Sequence, residues 1–453
     1  MTTEPIAAQA PAEVVAPPRD VTLPAPTVDG RGGSGDGSGG GGSGSTGEAP
    51  LYKRLLNRLV EANPTVVTIL SILTALIFGG ILIDVTSGNV IHALSHIGTH
   101  PGRALSLTCT TVLDAYGAIF SGSVLSPTAL GHAISTGNGW TGVFNPLSET
   151  CVAATPLILA GVGVAIGFRT GVFNIGAQGQ LIAGSIVALY VGFAVHLPIG
   201  IHLPLVILAG AAGGAAAGLI PGFLKARTGA HEVIVTIMLN YVFLNLLNYV
   251  LGGAPFQLPG QTNEISQKML TTARMPHLFG STLRVNLSFV IAIAMAALAS
   301  WFMNRSTLGF SFKVSGANAN AARTAGMSSS KVTILVFAIS GLFAGMAGMA
   351  TLSGTNFFLS SGYGGTIGFN AITVALLGRN KPWGVVWASM LFAMLDVGGA
   401  TMQVRTGITL DLTSVIQATI IFFIATPMLV REIYRLRSTG AGALQLFTKG
   451  WTG

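Results

Sequence analysis

Charge is what this sequence has least of. Only 8% of its 453 residues are Asp, Glu, Lys or Arg, against 50% hydrophobic, and the mean hydropathy is +0.67. A soluble chain of this length needs far more charge to coat its surface, so a soluble globular protein is excluded. Cysteine is nearly absent too. Cys109 and Cys151 support neither a disulfide scaffold nor a multi-cysteine metal centre, and they read as two unrelated thiols. No GxxxxGK[ST] phosphate loop occurs, so this chain does not hydrolyse ATP by that route. The apolar runs carry no nucleophile–base pair and no cluster of metal ligands, which argues against a membrane enzyme.

What is present is a series of long apolar stretches, the mark of a bilayer as solvent. The expected fold is an all-α polytopic membrane protein with ten spans, near residues 64–84, 150–168, 180–196, 203–222, 233–252, 285–304, 332–352, 367–378, 383–400 and 412–430. The net charge of +8 does not point to nucleic acid, because its cations sit in short loops between the spans. With the N-terminus inside, sixteen Lys and Arg fall on the cytoplasmic side and five outside, and one span more or fewer scrambles that bias. Both termini are therefore expected in the cytoplasm of a cell with a multi-pass cytoplasmic (inner) membrane protein. Residues 1–50, Pro/Ala-rich (PAEVVAPPRD) and then Gly/Ser-rich (GRGGSGDGSGGGGSGSTGEAP), cannot bury enough surface to offset their ordering entropy and are expected to be a disordered tail. They hold no apolar core that could act as a cleavable signal. A transmembrane domain over 51–437 and a cytoplasmic C-terminal tail over 438–453 complete the organisation.

The region 86–149 is placed outside the membrane. Its moderately apolar patch GRALSLTCTTVLDAYGAIFSG reads as a surface helix or a re-entrant piece. His92, His96 and His100 recur at helical spacing there, but Pro101 follows and no acidic or thiol ligand is near, so the spacing is read as incidental and no metal is expected.

Two stretches interrupt the apolar pattern. Residues 168–180, FRTGVFNIGAQGQ, and 361–371, SGYGGTIGFNA, each pair Phe with Asn among glycines (Phe173-Asn174, Phe369-Asn370). Glycine lowers helix propensity, and amides are costly against lipid. Irregular backbone at membrane depth survives only where protein or a water-filled cavity satisfies it. Breaks placed on opposite faces are what an inverted repeat around a central site produces, so a pseudo-two-fold relation is expected between 150–252 and the C-terminal half.

Four blocks then resemble a known family. ATPLILAGVGVAIGFRTGVFNIGAQGQLIAGSIVAL, KARTGAHEVIVTIMLNYV (225–242), LGFSFKVSGANANAARTAGM (308–327) and GFNAITVALLGRNKPWGVVWASMLFAMLDVGG (368–399) are similar to the permease subunits of bacterial ABC importers for nucleosides and simple sugars. The likeness runs from about Lys53 to Arg437, with the nucleoside branch fitting best. It departs from the usual pattern in having neutral amides at Gln178 and Asn370, where acids are common, and in its long 86–142 region. The resemblance implies a type II ABC importer-like fold and a transporter subunit rather than an enzyme, binding no cofactor itself. The implied partners are an ATPase subunit that uses ATP and Mg, a homologous second permease, an extracellular solute-binding lipoprotein and the lipid bilayer.

The same likeness assigns Gly316, Asn318, Ala321, Ala322, Arg323 and Gly326, in the basic loop after Arg305, to the helix that docks on the ATPase; a plain positively charged loop is the alternative. For the substrate path the candidates are Asn174, Gln178, Asn240 and Asn370, with Phe173 and Phe369 as stacking surfaces. A nucleoside offers hydroxyls and a base edge to amides and a flat ring to aromatics. Interhelical hydrogen bonding by the same amides stands as an equal reading. Asp396, an acid inside a C-terminal span, is read as a solvated mouth residue. A simple-sugar permease and an ion-coupled secondary carrier remain as alternative functions.

Overall fold

The computed structural model describes residues 64–434, apart from 97, 99 and 281. The expected tails at 1–50 and 438–453 lie outside the described residues. All ten expected spans are helices. They are α1 (Pro64–Thr86), α5 (Trp140–Arg169), α6 (Ala177–Ala194), α7 (Ile199–Thr228), α8 (Glu232–Leu251), α9 (Leu287–Arg305), α12 (Ser329–Thr351), α13 (Ile367–Leu377), α14 (Pro382–Thr406) and α15 (Leu410–Ala425). Eight of these, and one further helix, are long and apolar enough to cross a membrane; α13 and α15 are shorter.

The further helix is α3 (Pro101–Ser123), flanked by α2 (Gly88–Ser95) and α4 (Pro127–Thr136). Its length suits a crossing, but its contacts put it beside one end of the bundle. The Thr150 hydroxyl donates to the Ser123 carbonyl at 2.6 Å, and Gly398 of α14 lies against the Ile119 backbone. Thus α3 stops level with Thr150, well short of the Arg169 end of α5. Helix α5 also starts ten residues earlier than expected, at Trp140, running through Pro146 and Pro156.

Lipid tails are as apolar as the helices, so helices associate through close packing rather than hydrophobic drive. The tightest seam joins α7 and α12. Gly210, Gly214 and Gly218 recur every four residues on α7 and meet Gly341 and Gly345 on α12. A methyl group on Gly214 would overlap the Gly341 carbonyl, and one on Gly345 would overlap that of Gly210. The pairing descends α12 as it climbs α7, so the two helices are antiparallel.

Packing is reciprocal across the bundle. Helix α5 packs on α12, α13 and α14, while α12 packs on α5, α6 and α7. Exchanging α5, α6 and α7 for α12, α13 and α14 reproduces the same set of neighbours, the pattern an inverted repeat gives. Beyond it, α1 leans on α15, and the Tyr116 hydroxyl of α3 donates to the Leu76 carbonyl at 2.5 Å.

The loop 252–286 covers the Thr150 end and supplies backbone partners to the segment between α12 and α13. Ser266 and Met269 donate their N–H groups to Leu359 and Phe357 at 2.9 and 2.8 Å, and the Ser353 hydroxyl reaches the Ala273 carbonyl at 2.6 Å.

Replacing Gly214 or Gly345 with Val is expected to destabilise the bundle by at least the ~1–3 kcal/mol typical of overpacking. Gly200→Ala, where nothing stands within 4 Å, leaves stability unchanged. Size-exclusion profiles after heating the detergent-solubilised protein check both.

Candidate functional site

The two glycine-laden breaks meet inside the bundle. The first leaves α5 at Arg169 and turns through Gly171 in the left-handed region (φ +76°). After it, α6 begins at Ala177 with its first N–H groups unpaired, as at any helix start. The second follows a π-turn at Leu352–Asn356 and a left-handed Phe357 (φ 63°), then doubles back to begin α13.

Amide side chains satisfy both starts. Gln178 accepts from the Gly368 N–H in the first turn of α13 at 2.8 Å. Asn240, on α8, accepts from the Gly179 N–H of α6 at 2.8 Å and donates to the Ile175 carbonyl at 3.0 Å. Asn174 accepts from the Gly176 N–H at 3.0 Å and donates to Gln180 Oε1 and Ser340 Oγ, each at 2.8 Å. Gln180 returns a bond to Asn174 Oδ1 at 3.2 Å. Asn174, Gln178 and Asn240 are all buried. In this conformation each serves the backbone of the breaks, and Gly368 lies so close to Gln178 that a methyl group there would overlap its backbone.

The aromatic candidates differ. Phe173 is 48% exposed and packs on Phe168 with ring centroids 5.3 Å apart, and Phe369 is 46% exposed. On α8, Tyr241, Asn245 and Tyr249 are exposed at helical spacing, beside the exposed apolar side chains of Met238, Val242 and Leu246.

Asn370 belongs to a separate place, a half-open cavity of about 330 Å³ between α5, α9, α12, α13 and α14, with polar side chains set into a mostly apolar wall. Its rim holds the Glu149–Arg284 ion pair at 3.0 Å. Asp396 lines it, and Gln417 donates to Asp396 Oδ1 at 2.6 Å. Nothing in the sequence order joins Glu149, Arg284, Asn370 and Asp396.

Residues 147–425 match the model of a permease family described as branched-chain amino acid transport system / permease component. The chain belongs to this permease family. Over 321 residues, 69% of this permease and 91% of the relative, it is 39% identical to the guanosine ABC transporter permease NupP of Bacillus subtilis. It is 34% identical over 72% of its length to the glucose ABC transporter permease TsgB13 of Haloferax volcanii, covering 83% of that protein. With the nucleoside ABC transporter permease NupB of Lactococcus lactis the identity is 33% over 70% of this chain and 85% of the relative. No solved structure matches. The matched range takes in both breaks and the cavity, and leaves α1 to α4 outside.

At the other end of this permease, the loop after α9 folds as α10 (Thr307–Ala317) and α11 (Ala319–Thr324). Asn318 caps α11, accepting from the N–H groups of Asn320 and Ala321 at 3.0 and 3.1 Å. Ala322 is buried, Ala321 and Arg323 are exposed, and Gly326 closes the turn at φ +79°. Gly316 sits against the Arg169 carbonyl so closely that no side chain fits. Thus the basic loop touches the turn that opens the first break. Elsewhere both cysteines are free, the His92 and His96 rings stand 5.1 Å apart, and among the described residues no group of three or more His, Cys, Asp or Glu is arranged for a metal ion.

Gln178→Leu strands a buried N–H, and the expected loss of stability is about 1–3 kcal/mol; Gln178→Glu keeps the acceptor and is expected to be tolerated at neutral pH. Thermal unfolding in detergent separates the two. Cysteines placed at 173 and 369 are expected to react with aqueous maleimide, while those at 174 and 240 stay protected.

Proposed function

We propose that this permease supplies the translocation path of an ATP-driven importer for nucleosides, working by alternating access beside a homologous second permease. The observation that carries the mechanism is the head-to-head meeting of the α6 and α13 amino ends in mid-bundle. Discontinuous helices of that kind form the central site in transporters built from inverted repeats, where the two halves rock against each other. The exposed Tyr241–Asn245–Tyr249 stripe supplies one wall, and a second permease completes the corridor. Phe173 and Phe369 are the surfaces a base meets along it.

Energy comes from a separate ATPase subunit that binds ATP and Mg. Its docking site is the α10–α11 loop, with Asn318 shaping the short helix, Ala321 and Arg323 presented outward, and Gly316 passing displacement to the Arg169–Gly171 turn. An extracellular lipoprotein delivers solute at the Thr150 end. The cation bias supports a cytoplasmic Arg169 end and cytoplasmic termini. The nucleoside assignment draws on likeness to the guanosine and nucleoside permeases. Likeness to a glucose permease supports simple sugars as the second reading, and both solutes present hydroxylated rings.

Proteoliposomes containing this chain, its second permease and its ATPase are expected to accumulate tritiated guanosine only with ATP inside the cytoplasmic compartment and binding protein opposite. Uptake by the chain alone along an ion gradient would overturn the proposal in favour of a secondary carrier, and uptake of glucose but not guanosine would select the sugar reading. Gly316→Val is expected to cut uptake by about tenfold, equivalent to ~1.4 kcal/mol, while the ATPase subunit alone hydrolyses ATP at its usual rate.

A further inference from the structure

The cavity that Asp396 and Asn370 line is walled by α5, α9, α12, α13 and α14 of this chain and is open on one side. Asp396 is exposed at the mouth of this cavity, where a carboxylate keeps its charge and stays open to a ligand. Asp396 has one partner among the described residues, Gln417, which engages Oδ1. The second carboxylate oxygen has none.

Several acceptors are set into the otherwise apolar wall. The hydroxyl protons of Thr155, Thr351 and Thr355 are directed to carbonyls one helical turn back, those of Cys151, Ala347 and Thr351, at 2.8, 3.1 and 2.7 Å. Their oxygens keep lone pairs for the cavity. The Asn370 amide directs an N–H to Thr366 Oγ1 at 3.4 Å, which leaves its carbonyl oxygen without a partner among the described residues. The one cation on the rim, Arg284, is already paired with Glu149. With a carboxylate and several acceptors but no aromatic side chain on its wall, the cavity suits the hydroxylated part of a ligand rather than a flat ring. A bare metal ion fills little of 330 Å³. Adjacent ring hydroxyls fit: each donates one O–H, and a carboxylate accepts two side by side.

We propose that this intra-chain cavity binds the vicinal diol of the solute's furanose ring, with Asp396 as the diol acceptor and Asn370 and Thr155 as flanking acceptors. The proposal rests on the nucleoside importer reading above and adds a site inside the permease itself. Selection for hydroxyls then operates in the membrane as well as at the binding protein.

The test uses the assembled importer in nanodiscs without binding protein, titrated with tritiated guanosine and challenged with ribose, 2′,3′-dideoxyguanosine and sodium. Saturable guanosine binding is expected, with the dideoxy compound competing about ten- to hundredfold less well, the range for a lost charge-assisted hydrogen bond. Asp396→Asn is expected to erase that preference, and Thr155→Val and Asn370→Leu to weaken binding; these two carry the test if Asp396→Asn fails to assemble. Ribose competing as well as guanosine supports the diol as the recognised group. Absence of saturable binding, an unchanged diol preference in the assembled variants, or binding that follows sodium instead overturns the proposal. ATP-driven guanosine uptake with binding protein present is measured on the same samples, so a failed site is distinguished from a failed importer.

Discussion

Two helices begin face to face inside an apolar bundle, and their unpaired N–H groups have to find acceptors where water is scarce. Everything at the centre of this permease follows from that constraint. Gln178 answers for α13, Asn240 for α6, and Asn174 with Gln180 and Ser340 for the turn between α5 and α6. An unsatisfied backbone group in this setting costs several kcal/mol, so the breaks and the amides stand or fall together. Being neutral, the amides supply acceptors without placing a charge at the positive ends of the two half-helices.

Around this knot, the glycine seam between α7 and α12 fixes how closely the halves approach. Close backbone contact maximises dispersion in a medium where burial itself gains little. The seam is stiff because nothing compressible lies between the backbones. The breaks are the contrasting element: short hydrogen bonds that can exchange partners, joined to the basic loop through Gly316 and Arg169. A stiff frame with a re-pairable centre suits a machine that alternates between two arrangements.

The stretch before the family's matched range adds a hairpin of helices at the Thr150 end. Helix α3 presses on α14 near Gly398 and Thr401, next to Asp396 in sequence. The cavity wall itself is made of residues within the region shared with the family model.

The amino-acid order by itself determined the spans, the positions of both breaks and the basic loop, because hydrophobic run length and glycine–amide interruptions are local quantities. It also exposed the family resemblance. What only the tertiary structure decided is which groups meet. Gln178 and Gly368 are 190 residues apart in the chain, and Asn174 and Ser340 166 apart. Whether an amide points at a solute or at a stranded N–H depends on such distant neighbours, so Asn174, Gln178 and Asn240 carried two readings until their partners were seen. The α7–α12 seam was hidden for the same reason, since a glycine reveals close approach only when the opposing backbone is in place. Asp396 reads as a solvated mouth residue and is exposed, but its spacing says nothing of Gln417, which only the fold brings to it. Helix α3 has the length of a span, and only the hydrogen bond from Thr150 to Ser123 shows where it stops.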